Sequence, residues 1–154
     1  MDNTQIGKLI KKELSPVQKV FMGSFYGMKS FARAQDYVDG MRRAKLEIIP
    51  YAEVAESLVV LGFLKKNVKG SYLPVLSWED YQVKKLLDTK TDEELGLEQI
   101  GTLKAIEEKE IEYQAEAGKH WSVNRQDMIA DSIRYNKECL VRLNRAQYFR
   151  ANNF

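Results

Sequence analysis

The chain is poor in the residues that staple, ligate or interrupt a fold: one Cys, one His and three Pro among 154 residues. A single cysteine, Cys139, excludes an intrachain disulfide and fits a reducing compartment, so a cytoplasmic location is expected. A single histidine, His120, excludes the two Glu-x-x-His pairs of di-metal helical bundles. Three prolines and nine glycines leave little for linkers or low-complexity tracts, and no fixed-period repeat is present. Long hydrophobic runs are missing too. The longest, Leu58 to Leu64, is far too short to span a bilayer. Asp2, Lys8, Lys11, Lys12 and Glu13 interrupt the opening residues, where a secretory leader would be apolar. Neither G-x-G-x-x-G nor G-x-x-x-x-G-K-S/T occurs, which removes two glycine-rich phosphate loops. These absences predict a protein with no enzymatic activity, no cofactor, no metal and no membrane.

What is present is an ordinary globular composition, 44% hydrophobic and 30% charged, in a chain long enough to bury roughly 70% of its unfolded surface as one domain. The net charge of +2 conceals two opposed blocks. Residues 91–118 hold Asp92, Glu93, Glu94, Glu98, Glu107, Glu108, Glu110, Glu112 and Glu116 against Lys104 and Lys109, a net −7. Residues 119–154 hold Lys119, Arg125, Arg134, Lys137, Arg142, Arg145 and Arg150 against Asp127, Asp131 and Glu138, a net +4. Such blocks either pair with each other or face different partners.

Periodicity predicts mainly α structure. Ser15-Pro16 is a strong helix start, and Val17, Val20, Phe21, Ser24, Phe25, Met28, Phe31 and Ala32 follow at helical spacing to about Gly40. Gly23 and Gly27 form a G-x-x-x-G that suggests close helix packing. Leu46–Ile49 has the composition of a short strand. Pro50 opens a helix buried through Tyr51, Val54, Ala55, Leu58 and Leu61, with Gly62 as its left-handed stop. Phe63–Lys66 and Ser71–Val75 read as a hairpin around Asn67–Gly70, with Pro74 restricting its strand to an edge. Capping boxes at Ser77 and Thr91 open two further helices. The second has an apolar face of Leu97, Ile100, Leu103, Ile106 and Tyr113 and ends near Gly118. The last helix, about Val123 to Tyr148, carries Ile129, Ile133, Asn136, Leu140, Leu143 and Gln147 in alternating steps of four and three, a short heptad seam.

The expected fold is therefore mainly α: about five helices and one small hairpin in a single domain. A mixed module over 1–90, winged-helix-like in its order of elements, precedes a C-terminal antiparallel helical pair over 91–154. The leading functional expectation is a non-enzymatic adaptor or assembly subunit. It would bind a protein partner, or itself, through Ile133, Asn136, Leu140, Leu143, Tyr148, Phe149 and Phe154, where apolar anchors and aromatics adjoin arginines. The rival is a nucleic-acid binder using Lys65, Lys66 and Lys69 of the hairpin with Arg142, Arg145 and Arg150. Against it, the putting of Glu53 and Glu56 on the helix before the hairpin would repel phosphates. A third reading places a metal on Glu112, Glu116 and His120, but Gly118 interrupts that helical face, and a solvated acidic surface followed by a loop histidine accounts for it better.

Overall fold

The computed structural model describes residues 1–27, 31–117, 119 and 123–152. Seven helices and one two-stranded sheet lie among them, two more helices than the sequence predicts. The chain forms two compact units, Met1–Asp80 and Tyr81–Phe154.

The first unit opens with α1 (Asn3–Ile10), a helix that the charged look of the N-terminus conceals. Its start is a reciprocal cap. The Asp2 carboxylate accepts the Gln5 backbone N–H at 2.8 Å, and the Gln5 side-chain oxygen accepts the Asp2 N–H at 3.0 Å. Ile6, Leu9 and Ile10 then share its buried face. The single long helix expected from Ser15 to Gly40 is instead two, α2 (Pro16–Gly27) and α3 (Arg33–Arg43). They fold back on one another: Phe25 meets Arg33, Phe21 meets Tyr37, and Val20 meets Gly40. A straight helix of that length would run about 37 Å. A hairpin brings the apolar positions of both halves into one core. Phe31, expected on the buried face, is 86% exposed in the turn, and Met28 lies outside the described residues.

Phe21 is the centre of this unit, with its ring centroid 4.6 Å from Tyr51, 5.6 Å from Tyr37 and 6.0 Å from Phe25. The Tyr37 hydroxyl donates to the Ile49 carbonyl at 2.7 Å. Leu46–Ile49 forms no strand: its backbone has no sheet partner, because the two strands present pair with each other.

α4 (Tyr51–Leu61) buries Val54, Ala55 and Leu58 and ends at Gly62, whose φ of +95° is the left-handed stop expected there. Lys12 Nζ donates to the Leu61 carbonyl at 2.6 Å, placing a cation at the negative end of the α4 dipole. β1 (Leu64–Lys66) and β2 (Tyr72–Pro74) pair antiparallel in the register Leu64↔Pro74, Lys65↔Leu73, Lys66↔Tyr72. Asn67 Oδ1 accepts the N–H groups of Lys69 and Ser71, each at 2.9 Å, and Gly70 supplies the positive φ of the turn.

The second unit is built from most of α5 (Trp78–Thr89), α6 (Asp92–Glu116) and α7 (Val123–Ala151). α6 begins at the Thr91–Glu94 capping box, with both reciprocal hydrogen bonds at 3.2 Å. α6 and α7 lie antiparallel. Asp92 meets Arg150 at 3.0 Å, Gln99 meets Asn144 at 2.7 Å, Glu110 meets Lys137 at 3.4 Å, and Glu116 meets Arg125 at 3.4 Å. Leu95, Ile106, Ile129, Leu143, Ala146 and Phe149 are buried in this unit.

Candidate functional site

The second unit uses one face of α6 to pack and leaves another bare. Leu95 and Ile106 are buried, whereas Leu97, Ile100, Leu103 and Ile111 are 64%, 66%, 48% and 71% exposed. The apolar face expected from Leu97 through Ile106 is therefore split. Each step of three residues falls about 60° short of a full turn, so the series Leu97, Ile100, Leu103, Ile106 walks half-way round the helix. Its first three members end on the outside and the fourth on the inside. Ile111, eleven residues after Ile100, returns to the outer face. Ordinary helical periodicity contained this result, but only the tertiary packing selects which part of the series is covered.

Charge frames the same stripe. Asp92, Glu98, Glu110, Glu112 and Glu116 are engaged by Arg150, Lys90, Lys137 and Arg125. Glu93, Glu107 and Glu108 are exposed beside the stripe and carry no ion pair among the described residues. The acidic block thus divides between carboxylates held by Lys90 and α7 and an outer face that is net acidic, with exposed Lys104 among its residues.

The residues singled out on α7 are mostly occupied within the unit. Leu143 and Phe149 are buried, while Ile133, Asn136 and Leu140 are half-buried along the seam. Tyr148 is the exposed member of the set, and Phe154 lies outside the described residues. The C-terminal arginines are likewise engaged. Arg150 donates to Asp92 Oδ1 at 3.0 Å and to the Leu87 carbonyl at 2.7 Å, capping α5. Arg145 sits 4.8 Å from the centre of the Phe149 ring. Arg142 lines a groove between α5, α6 and α7.

In the first unit, Glu56 of α4 binds the hairpin. Its carboxylate pairs with Lys66 and accepts the Tyr72 hydroxyl at 2.7 Å. Those two hydrogen bonds hold the Glu56 carboxyl below its ordinary range, while the same carboxylate raises the Lys66 ammonium and the Tyr72 phenol. Lys65 and Lys69 remain exposed without an ion pair among the described residues, flanking the fully exposed Val68.

Of the proposed metal set, His120 lies outside the described residues, and Glu112 and Glu116 both face Arg125. Among the described residues no cluster of His, Cys, Asp and Glu has the geometry to hold a metal. Cys139 is a half-buried free thiol beside the Tyr135 hydroxyl, and this contact pushes the phenol above its ordinary range. Among the described residues, no helix is long and apolar enough to cross a membrane. No family model, curated protein or solved structure matches this chain.

Proposed function

We infer that this protein is a non-enzymatic adaptor or assembly subunit that works through protein contacts of its C-terminal helices. The observation that carries the reading is the outer stripe of α6: four large aliphatic side chains about half or more exposed on a helix whose opposite face is already packed. Large apolar side chains left exposed along one helix face mark interaction sites in soluble proteins. The occupant that fits is a basic amphipathic helix, its apolar side on Leu97, Ile100, Leu103 and Ile111 and its cations against Glu93, Glu107 and Glu108. Covering each side chain is worth roughly 1.5–3 kcal/mol before the entropic cost of association.

The test is fluorescence anisotropy with a designed amphipathic peptide bearing Leu at helical spacing and Lys on both flanks. The native protein should bind it, and Ile100→Glu should weaken binding by at least about tenfold, the equivalent of roughly 1.4 kcal/mol. Equal affinity for the two proteins would sink the proposal. A concentration-dependent dimer abolished by the same substitution would make a second copy the occupant.

A second reading, a winged-helix-like nucleic-acid binder, is favoured by the order α2, α3, α4 and hairpin in the first unit, with Lys65 and Lys69 unpaired at the hairpin. Working against it are the exposed Glu53 and Glu56 of α4 and the engagement of Lys66 by Glu56. Anisotropy with single- and double-stranded oligonucleotides at two salt concentrations separates the readings. Salt-sensitive binding lost in the Lys65→Glu, Lys69→Glu double variant would promote the nucleic-acid reading, and no binding at low salt would remove it.

A further inference from the structure

The bare stripe of α6 is self-complementary when read in reverse. Ile100, Lys104, Glu107 and Ile111 follow one another in steps of four, three and four, which keeps them within about 60° of arc on an α-helix. All four are exposed, and Lys104 and Glu107 carry no ion pair among the described residues. Reversing the order exchanges Ile for Ile and Lys for Glu. Two antiparallel copies of this helix, related by a two-fold axis, therefore set each residue against its complement. Ile100 meets Ile111 of the second copy and Lys104 meets Glu107 of the second copy, and each contact occurs twice.

The competing arrangements are worse. A parallel pair sets Lys104 against Lys104 and Glu107 against Glu107, and like charges opposed across an interface repel. Sliding one antiparallel copy by seven residues sets an isoleucine against Lys104 or against Glu107, according to direction. The surface beside Ile111 is also shaped for the contact. A shallow depression there is lined by Glu107, Glu110, Ile111 and Gln114, and four positions so spaced on one helix form the hole that receives a side chain in coiled-coil packing. We propose that, while no partner helix is bound, the α6 stripe pairs antiparallel with the same stripe of a second copy, so that dimerisation and partner binding exclude one another. This rests on the reading of the stripe as a docking surface and adds the device that regulates it. Leu97 falls against Gln114, leaving two isoleucine pairs as the apolar contact. The dimer is thus of the weak, transient class: dilute protein is monomeric with its stripe open.

The test is sedimentation equilibrium of the full chain over a range of concentrations, with and without the basic amphipathic peptide. The native protein should pass from one to two 17.8 kDa subunits as concentration rises, and the peptide should return it to a monomeric complex. Lys104→Glu opposes two carboxylates at both ends of the axis, so it should weaken the dimer by at least about tenfold. The same variant makes the stripe more acidic and should hold or strengthen its affinity for the peptide, which also shows that it folds. Lys104→Glu with Glu107→Lys restores each antiparallel pair and should restore the dimer. The proposal is overturned by a protein that stays monomeric throughout, by a dimer indifferent to Lys104→Glu, by no recovery in the doubly substituted chain, or by peptide bound without dissociation of the dimer. Peptide binding with no dimer overturns it and leaves the adaptor reading standing. A dimer with this charge pattern and no peptide binding sustains the self-pairing and removes the basic helix as occupant.

Discussion

Gly40 and Gly23 sit in neighbouring helices of the first unit and make opposite demands. A Cβ on Gly40 would lie 2.8 Å from Val20 Cγ1, whereas one on Gly23 would meet nothing within 4 Å. The close approach of α2 and α3 therefore depends on Gly40, which the G-x-x-x-G pattern of Gly23 and Gly27 does not include. Gly40→Ala should lower stability by roughly 1–3 kcal/mol through overpacking, although alanine is the better helix former. Gly23→Ala should raise it by up to about 1 kcal/mol. Denaturant unfolding of the two variants gives both signs. Tyr81 offers a second prediction at this scale. Burial, with a smaller contribution from the nearby Asp88 carboxylate, pushes its phenol from 10 up to about 12. The folded state thus favours the protonated phenol. The associated stability is complete below pH 10 and is lost as pH rises to about 12, at up to about 1.4 kcal/mol per pH unit. Tyrosinate absorbance should lose its step near pH 12 in Tyr81→Phe, together with that part of the alkaline slope.

At the scale of elements, α6 carries the contrast between packed and bare faces within one helix. Ile106→Ala removes a side chain that is 7% exposed, and Ile100→Ala one that is 66% exposed. The first should cost about 2–5 kcal/mol and the second no more than about 0.5 kcal/mol, measured as shifts in the denaturation midpoint. Equal effects would mean that Ile100 is covered in the free protein and is no docking surface. The helix starts and stops were legible in the sequence because they are local chemistry. Ser15, Ser77 and Thr91 accept the N–H three residues on, and Gly62 takes a positive φ. α1 carries the same signal in Asp2 and Gln5, but its charged residues masked it. The break between α2 and α3 was not legible, because helical spacing continues across it and a hairpin preserves both apolar faces.

Across the whole molecule, charge segregation and stability are separate matters. The pairs joining α6 to α7 lie largely at the surface: Arg125, Lys137 and Glu110 are each more than half exposed, and such pairs contribute about 0–1 kcal/mol apiece. Raising ionic strength from about 0.05 to 1 M should therefore move the melting temperature by only a few degrees, because salt screens charges and leaves the apolar core intact. A large loss would show that the two charge blocks, rather than Leu95, Ile106, Leu143 and Phe149, hold the second unit together.

The sequence by itself determined the elements that depend on neighbours in the chain: the caps, the glycine stop, the hairpin turn and the opposed charge blocks. Tertiary structure alone decided which repeats of three and four residues were covered. Leu97 and Ile106 have similar side chains in the same helix, and only the position of α7 makes one surface and the other core. It also decided the fate of the charged side chains, committing Arg150 to α5 and α6 and Lys66 to Glu56. The buried, unpartnered amide of Gln82 is of the same kind. Whether a donor has a partner depends on distances between helices, which the spacing of residues along one helix does not contain.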